Sequence, residues 1–347
     1  MSDFFSLVIS NIEQNTSNSV ILSFEIPSDQ KEKFSFKSGQ YLTLEAEVND
    51  QKVRRSYSIC SMPKEALQVG IKQIPEGVFS SFANNVLQIK DSILVGSPQG
   101  RFLYDPSGAS EKIVAFAAGS GITPIMSIIK TVLSSHPENE FSLVYGNKTP
   151  KDTMFLNELK ELEKTCESRF KVTWVFSQSN EENSFFGRIE APVVKNFLNN
   201  YDKPVDHFYL CGPKQMINTV SDTLVEKAVL KENIHFELFT ASEKKGAAAV
   251  ESNSERASLE IIYDEESYKF ENAKGKSVLD LALQNNIDVP YSCQGGVCSS
   301  CIAKIKEGTV TMDNNQVLTD EEIEEGLILT CQAHISSSHL KVDYDDV

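Results

Sequence analysis

Four cysteines stand in the last quarter of the chain. Cys293, Cys298 and Cys301 are spaced C-x4-C-x2-C in "CQGGVCSSC", and Cys331 follows in "LTCQAH". This is the spacing that holds a [2Fe-2S] cluster, with the fourth thiolate arriving from a distant strand. The loop composition suits that chemistry. Bridging sulfides want several backbone N–H donors, and Gly295-Gly296 lets the chain curl close without a Cβ in the way. A structural zinc site would use paired C-x2-4-C knuckles, and only Cys298 and Cys301 make such a pair. A disulfide pair is disfavoured in a reducing compartment.

A cluster loop needs a scaffold, and the chain divides into patterned segments that supply one. Residues 1–106 read as short strands: "FFSLVIS", "SVILSFEI", "QYLTLEAEV", "VRRSYSIC", "ALQVGIKQ" and "SILVGS". With turn residues such as Ser38-Gly39-Gln40 between them, they predict an antiparallel β-barrel. From 107 to 240 the rhythm changes to strand then helix, with "IVAFAA", "FSLVYG", "VTWVFS" and "HFYLC" as strands. That alternation predicts an α/β domain with a parallel sheet covered on both faces. Residues 241–256 are small, polar and charged and read as a linker. From 257 to 347 a hairpin ("SLEIIYD", "ESYKFEN"), a helix ("SVLDLALQNN"), the cysteine loop and further strand predict a small α+β domain.

Within the α/β segment, "IVAFAAGSGITPIMSIIKTVL" runs a strand into Gly119-Ser120-Gly121, with Thr123 expected as N-cap and Pro124 at the first helical position. A glycine turn that delivers a helix N-terminus is a dinucleotide site. Further on, Cys211-Gly212-Pro213 stands where a strand becomes a helix.

Composition excludes several classes. The net charge is −16, and residues 257–347 hold 17 acidic against 6 basic side chains, a balance of −11. Nucleic acid is therefore a poor partner, because phosphate binding needs clustered cations. The acidic C-terminal segment is instead suited to steering toward a basic protein surface. No apolar run approaches the roughly 18 residues of a membrane helix, and the first residues, "MSDFFSLVISN", do not read as an export signal. Seven cysteines, an odd number, do not suggest a secreted disulfide framework. The expectation is a cytoplasmic protein without membrane or nucleic-acid partners. None of the five histidines sits in a metal spacing, and His334 follows Cys331 closely enough to hydrogen-bond toward a cluster.

Several phrases carry a resemblance. Arg55, Tyr57 and Ser58 in "RRSYSIC" form the R-x-Y-S pattern of the ferredoxin–NADP reductase superfamily, which this segment resembles. The resemblance implies that Arg55 holds a flavin phosphate, Tyr57 packs on the isoalloxazine, and Ser58 hydrogen-bonds flavin N5. An arginine fork matches phosphate geometry and an aromatic ring covers a flat cofactor. It places the flavin diphosphate on Gly77, Val78 and Ser80 of "GVFS", at a predicted helix start, and so favours FAD over FMN. The form G-x-G-x-T-P, with Gly119, Gly121 and Thr123, resembles the pyridine-nucleotide domain of the same superfamily. It also implies that Cys211 and Gly212 lie beside the nicotinamide, with Glu237 and the aromatic Phe239 of "HFELF" near the flavin face. Residues 257–347 resemble a plant-type ferredoxin.

This order of segments, with the ferredoxin last, resembles the phenylacetyl-CoA epoxidase reductase subunit family. It implies a cytoplasmic NAD(P)H-dependent oxidoreductase of phenylacetate catabolism that passes electrons from NAD(P)H to FAD, to [2Fe-2S], and on to an oxygenase component. The alternatives are a reductase for another monooxygenase, hydroxylase or desaturase, and a redox-sensing binding module without turnover. The NADPH-using relatives carry Ser-Arg after the third strand of the nucleotide domain, whereas this chain has Ser177-Gln178, with Lys148 as a nearby cation. NADPH is favoured slightly over NADH on the resemblance.

Overall fold

The computed structural model describes residues 4–239, 257–271, 273 and 275–347. They fall into two compact units, one within 4–239 and one within 257–347, each described by itself. The linker expected at 241–256 lies outside the described residues.

The first unit opens with six antiparallel strands: β1 (Phe4–Thr16), β2 (Ser19–Glu25), β3 (Tyr41–Val48), β4 (Gln51–Ser58), β5 (Leu67–Lys72) and β6 (Ser92–Gly96). Their order is β4-β3-β6-β1-β2-β5, and an Ile59–Val69 bridge brings the two edges together as a barrel. Alternate residues point inward. Leu7, Ile9, Leu22, Leu42, Leu44, Val69 and Val95 are fully buried in the resulting core, each contributing about 1.5–3 kcal/mol by burial. Helix α1 (Val78–Asn85) lies against the barrel, burying Phe79 and Ala83.

Six parallel strands follow: β7 (Lys112–Ala118), β8 (Glu140–Asn147), β9 (Phe170–Phe176), β10 (Ser184–Phe186), β11 (His207–Gly212) and β12 (Ile234–Leu238). Helices α2 (Ile122–Ser135), α3 (Leu156–Thr165), α4 (Ala191–Asn200) and α5 (Lys214–Glu226) connect them. The order β10-β9-β8-β7-β11-β12 reverses direction between β7 and β11. Such a switch point opens a crevice at the carboxyl ends of the strands. Strands β10 and β12 are edge strands that the apolar pattern did not reveal. β10 is three residues long, and β12 carries an outward Phe236 and a polar His235 and Glu237.

The helix after the glycine turn corrects one expectation. Gly119–Gly121 form a 3-10 turn that continues directly into α2, so Gly121 is the N-cap residue and Thr123 lies inside the first turn. The Thr123 hydroxyl donates backward to Ser120 O at 3.0 Å. Because the turn at Gly119–Gly121 runs straight into the helix, the cap falls at Gly121, two residues before the threonine.

Barrel and parallel sheet are tied by buried and half-buried polar contacts. Ser127 Oγ donates to Ser61 O at 2.6 Å, Tyr209 Oη to Leu103 O at 2.9 Å, and Phe155 N to Asn15 Oδ1 at 2.9 Å. One hydrophobic core runs from Ile21, Cys60 and Phe102 into α2 and β7.

The second unit contains β13 (Ser258–Tyr263), β14 (Glu266–Phe270), α6 (Val278–Gln284), β15 (Ile302–Glu307), β16 (Val310–Met312), α7 (Asp320–Glu324), β17 (Leu327–Leu329), β18 (Ala333–Ile335) and β19 (His339–Asp343). Five strands form a mixed sheet, β14-β13-β19-β15-β17, in which β13 and β19 are parallel. The predicted hairpin is β13–β14, and the predicted helix is α6, capped by the Ser277 hydroxyl, which accepts from Asp280 N. Val278, Leu279, Leu281 and Ala282 of α6 pack on Leu259, Ile261, Leu340 and Val342. Among the described residues no helix is long and apolar enough to cross a membrane.

Candidate functional site

Strand β4 carries two adjacent arginines whose surroundings separate them. Arg54 is 2% exposed, paired with Glu45 across the ladder, and lies over the Phe4 ring at 4.6 Å. Arg55 is exposed, and its Nη1 donates to the carbonyl of Arg54 at 2.6 Å. By strand alternation Arg55 shares a face with Tyr57. The Tyr57 ring packs on Phe79 of α1, centroids 5.5 Å apart. Burial pushes its phenol above the usual range, with Arg55 opposing. The arginine expected to hold a phosphate is therefore the one not committed to a carboxylate.

Gly77 caps α1 and leads into its first turn, where three N–H groups lack helical acceptors. A Cβ at Gly77 would lie 2.4 Å from Ser80 Oγ and 2.5 Å from the Ile74 side chain, so any larger residue would displace both. Ser80 is buried, receives Ile74 N and donates to Gly77 O, both at 3.2 Å. Val78 remains 45% exposed on the first turn. This cradle suits a diphosphate: a glycine-led helix start against β4, which carries the exposed Arg55.

At the switch point the glycine turn lies against the end of β11, bringing Gly121 next to Cys211 and Gly212, which were expected at a nucleotide. Gly121 lies so close to β11 that a Cβ would sit 2.1 Å from Cys211 O and 2.9 Å from Gly212 N. Gly119 has φ +56° with open space where a Cβ would point, and its carbonyl accepts from Tyr145 Oη at 2.9 Å. A turn with glycine on both sides of Ser120, resting on the end of β11 and leading into α2, fits a pyrophosphate at the helix start. Thr123 faces the barrel, its Cγ2 lying 2.7 Å from where Gly70 of β5 would carry a Cβ.

Three side chains converge from distant segments. Ser58, 3% exposed, donates its hydroxyl to Glu237 Oε2 at 3.3 Å. Glu237 pairs in register with Cys211 across β11 and β12. Loss of hydration pushes the Glu237 carboxyl up to about 8, with the Ser58 hydrogen bond pulling the other way. Cys211 is fully buried, and its thiol is raised well above its ordinary value by burial and then by Glu237. Phe239 stands one residue beyond β12, 37% exposed. The arrangement can hold a proton on Glu237 near neutral pH, next to a serine hydroxyl and an inert thiol. It has no activated nucleophile.

In the second unit, Cys301 directly precedes β15 and Cys331 lies between β17 and β18. Ladder pairing of Ile302 with Leu329, and Thr330 donating through N (3.0 Å) and Oγ1 (2.9 Å) to Cys301 O, bring these two together. Gly295 N donates to Cys293 Sγ at 3.4 Å. The Cys298 Sγ donates to Ser300 Oγ at 3.6 Å. The neighbouring thiols act on one another, holding Cys293 and Cys301 below the usual thiol range and raising Cys298 and Cys331. Among the described residues no three His, Cys, Asp or Glu side chains form a compact single-ion site. Four thiols brought together from the loop and from the strand ends, with Gly295 N aimed at Cys293, fit a two-iron group. His334 pairs with Asp313 Oδ2 at 2.9 Å.

Sequence reasoning missed three features. Lys72 of β5 donates to Asp152 O at 2.8 Å, placing a cation at the seam below the glycine turn. The Asn147 amide at the end of β8 is buried without a hydrogen-bond partner by geometry. Gln332, Asn314 and Gln316 surround the cluster loop. Lysine, asparagine and glutamine carry no spacing signal, so only the assembled structure reveals them.

Comparison with known proteins agrees with this geometry. Residues 6–104 match the oxidoreductase FAD-binding domain, 116–222 the oxidoreductase NAD-binding domain, and 261–336 the 2Fe-2S iron-sulfur cluster binding domain. The chain is 33% identical over 353 residues to a subunit of 1,2-phenylacetyl-CoA epoxidase from Escherichia coli, covering 99% of each. It is 30% identical to the ferredoxin reductase component of 3-ketosteroid-9-alpha-monooxygenase from Rhodococcus rhodochrous, covering 97% of this chain and 96% of that one. Its fold matches phthalate dioxygenase reductase with a TM-score of 0.63 and 23% identity, covering 98% of both chains. With FAD-binding, NAD-binding and [2Fe-2S] domains in this order, the chain is an oxidoreductase of the phenylacetyl-CoA epoxidase reductase subunit family, within the ferredoxin–NADP reductase superfamily.

Proposed function

We propose that the chain is the NAD(P)H-dependent reductase component of an oxygenase, with phenylacetyl-CoA epoxidase as its client. The observation that carries this reading is end-to-end similarity to a subunit of that epoxidase, at 33% identity over 99% of both chains. The reductase chemistry stands on broader ground than the client, since relatives at 30% and 27% identity serve a ketosteroid monooxygenase and a glycine betaine monooxygenase.

When bound, the flavin accepts a hydride from NAD(P)H and yields its electrons singly, and the [2Fe-2S] group carries one at a time. The chain's residues supply geometry. Arg55, Gly77, Val78 and Ser80 hold the flavin diphosphate, and Tyr57 covers the ring. Ser58 presents its hydroxyl to the flavin and Glu237 keeps that hydroxyl oriented. Gly119, Gly121 and Thr123 seat the nucleotide pyrophosphate, and Cys211, Gly212 and Phe239 border the nicotinamide. Cys293, Cys298, Cys301 and Cys331 hold the cluster. These roles fall in three modules, 1–106, 107–240 and 257–347, joined by a linker at 241–256, in a cytoplasmic protein.

NADPH is the proposed better donor. Gln178 N donates to Lys148 O at 2.9 Å, which sets Lys148 beside Ser177 and Gln178 at one edge of the crevice. Among the nearby acids, Glu181 is engaged by Ser179. Lys148 then supplies the cation for a 2′-phosphate. Steady-state reduction of ferricyanide with each nucleotide checks the donor. Reconstitution with the purified epoxidase components checks the client: product formation supports it, and reduction of ferricyanide without any epoxide product removes that client while leaving the reductase chemistry.

A further inference from the structure

We propose that Gln332 is a positioning residue of the cluster site, raising the reduction potential of the [2Fe-2S] group through a carboxamide held against Cys331. The inference rests on the [2Fe-2S] reading of the four cysteines. Gln332 directly follows the fourth thiol and is 7% exposed. Its Nε2 donates to Gln294 O at 3.1 Å and to Cys331 O at 2.9 Å, and it lies 3.5 Å from Cys331 Sγ. A primary amide has two N–H groups. One therefore serves Gln294, and the other is shared between the carbonyl and the sulfur of Cys331. A single side chain joins the loop after the first ligand to the fourth ligand, across 38 residues of sequence.

Two more carboxamides complete a clamp. Asn314 Nδ2 donates to Gly295 O at 2.7 Å, and Gln316 Nε2 to Asn314 Oδ1 at 2.8 Å, while Gln316 N donates to Gly296 O at 3.0 Å. The carbonyls of residues 294, 295 and 296 are all taken. The loop adopts left-handed φ values of 51° at Gln294 and 73° at Gly296. It also leaves no slack: a Cβ at Gly296 would lie 2.5 Å from Asn314 O and 3.0 Å from Gln332 Cγ.

Of the three carboxamides, Gln332 is the one within reach of a thiol sulfur. When the cluster gains its electron, negative charge spreads onto the thiolates, and an N–H donor stabilises the more negative state more strongly. Removing the donor must therefore make reduction harder, whereas loosening the loop through Asn314 leaves the donor in place.

The test is a spectroelectrochemical titration of the full-length chain loaded with FAD and iron, comparing parent, Gln332→Met and Asn314→Ala. The expected result for Gln332→Met is a reduction equilibrium about tenfold less favourable, which is 59 mV for one electron. The FAD potential stays parental, and Asn314→Ala keeps the parental cluster potential. A parental cluster potential in Gln332→Met, or equal drops in both variants, overturns the proposal. If Gln332→Met retains FAD but no iron, Gln332→Asn replaces it under the same criterion. Iron lost from both Gln332 variants and kept in Asn314→Ala supports positioning, and iron lost from all three overturns it. A parent chain without a [2Fe-2S] spectrum would instead remove the cluster reading itself.

Discussion

The Ser58 hydroxyl donates to Glu237 Oε2 at 3.3 Å, joining barrel strand β4 to edge strand β12 across 179 residues of sequence. Through the register pairing of Glu237 with Cys211, it also reaches the strand on which the glycine turn rests. The contact is one place where the barrel and the parallel sheet meet. Replacing Ser58 with Ala removes the hydroxyl and one stabilising bond of the Glu237 carboxylate. The expected outcome is retained FAD and a fall of about 10- to 100-fold in the rate of flavin reduction by NAD(P)H, read by stopped-flow absorbance.

Glu237 gives stability a pH dependence. Burial lifts its folded pKa from 4.5 to about 8. Between those values the folded state binds a proton that the unfolded state has released, so stability falls as pH rises through the window. In flavin-depleted protein, Glu237→Gln removes this dependence. Its melting temperature should gain on the parent's as the pH is raised from about 5 to about 9; a constant difference would place the carboxyl's pKa near its ordinary value.

His235 acts in the opposite sense. Its Nε2 lies 3.2 Å from His207 Nδ1, and burial, then His207, lowers its pKa below 6.5. The unfolded chain takes up the proton first, so this contribution is present above pH 6.5 and is lost as pH falls below it. His235→Gln should flatten the acid limb of a urea-denaturation stability profile without altering turnover above neutral pH.

Gly121→Ala tests the glycine turn. A Cβ 2.1 Å from Cys211 O cannot be accommodated without moving backbone. A shift of about 1 Å in a reacting geometry costs on the order of 100-fold. NAD(P)H-dependent ferricyanide reduction should fall by that order while FAD content stays parental.

Cys331→Ser separates the two redox centres. Iron content and the cluster absorbance should be lost, and ferricyanide reduction, which draws directly on the flavin, should persist. Reduction of an oxygenase client should stop. Gln178→Arg is the matching specificity variant. An added guanidinium fork at the crevice edge should raise kcat/KM for NADPH about tenfold over that for NADH.

The sequence by itself determined the parts list. C-x4-C-x2-C with a distant Cys331, R-x-Y-S at 55–58, and the turns at Gly77 and Gly119–Gly121 were legible because each is a local spacing tied to local backbone geometry. Period-two and strand–helix patterns likewise announced the barrel and the parallel sheet. What the tertiary structure decided were relationships between residues far apart in the chain. The motif singles out Arg55, but that Arg54 is buried is decided by Glu45, on the neighbouring strand, which claims it. Thr123 looked like a helix cap until the turn at Gly119–Gly121 proved to run straight into the helix. The Ser58–Glu237–Cys211 convergence and the Gln332 clamp depend on strand order and register. Those are set by how whole faces pack, and no short stretch of sequence encodes them.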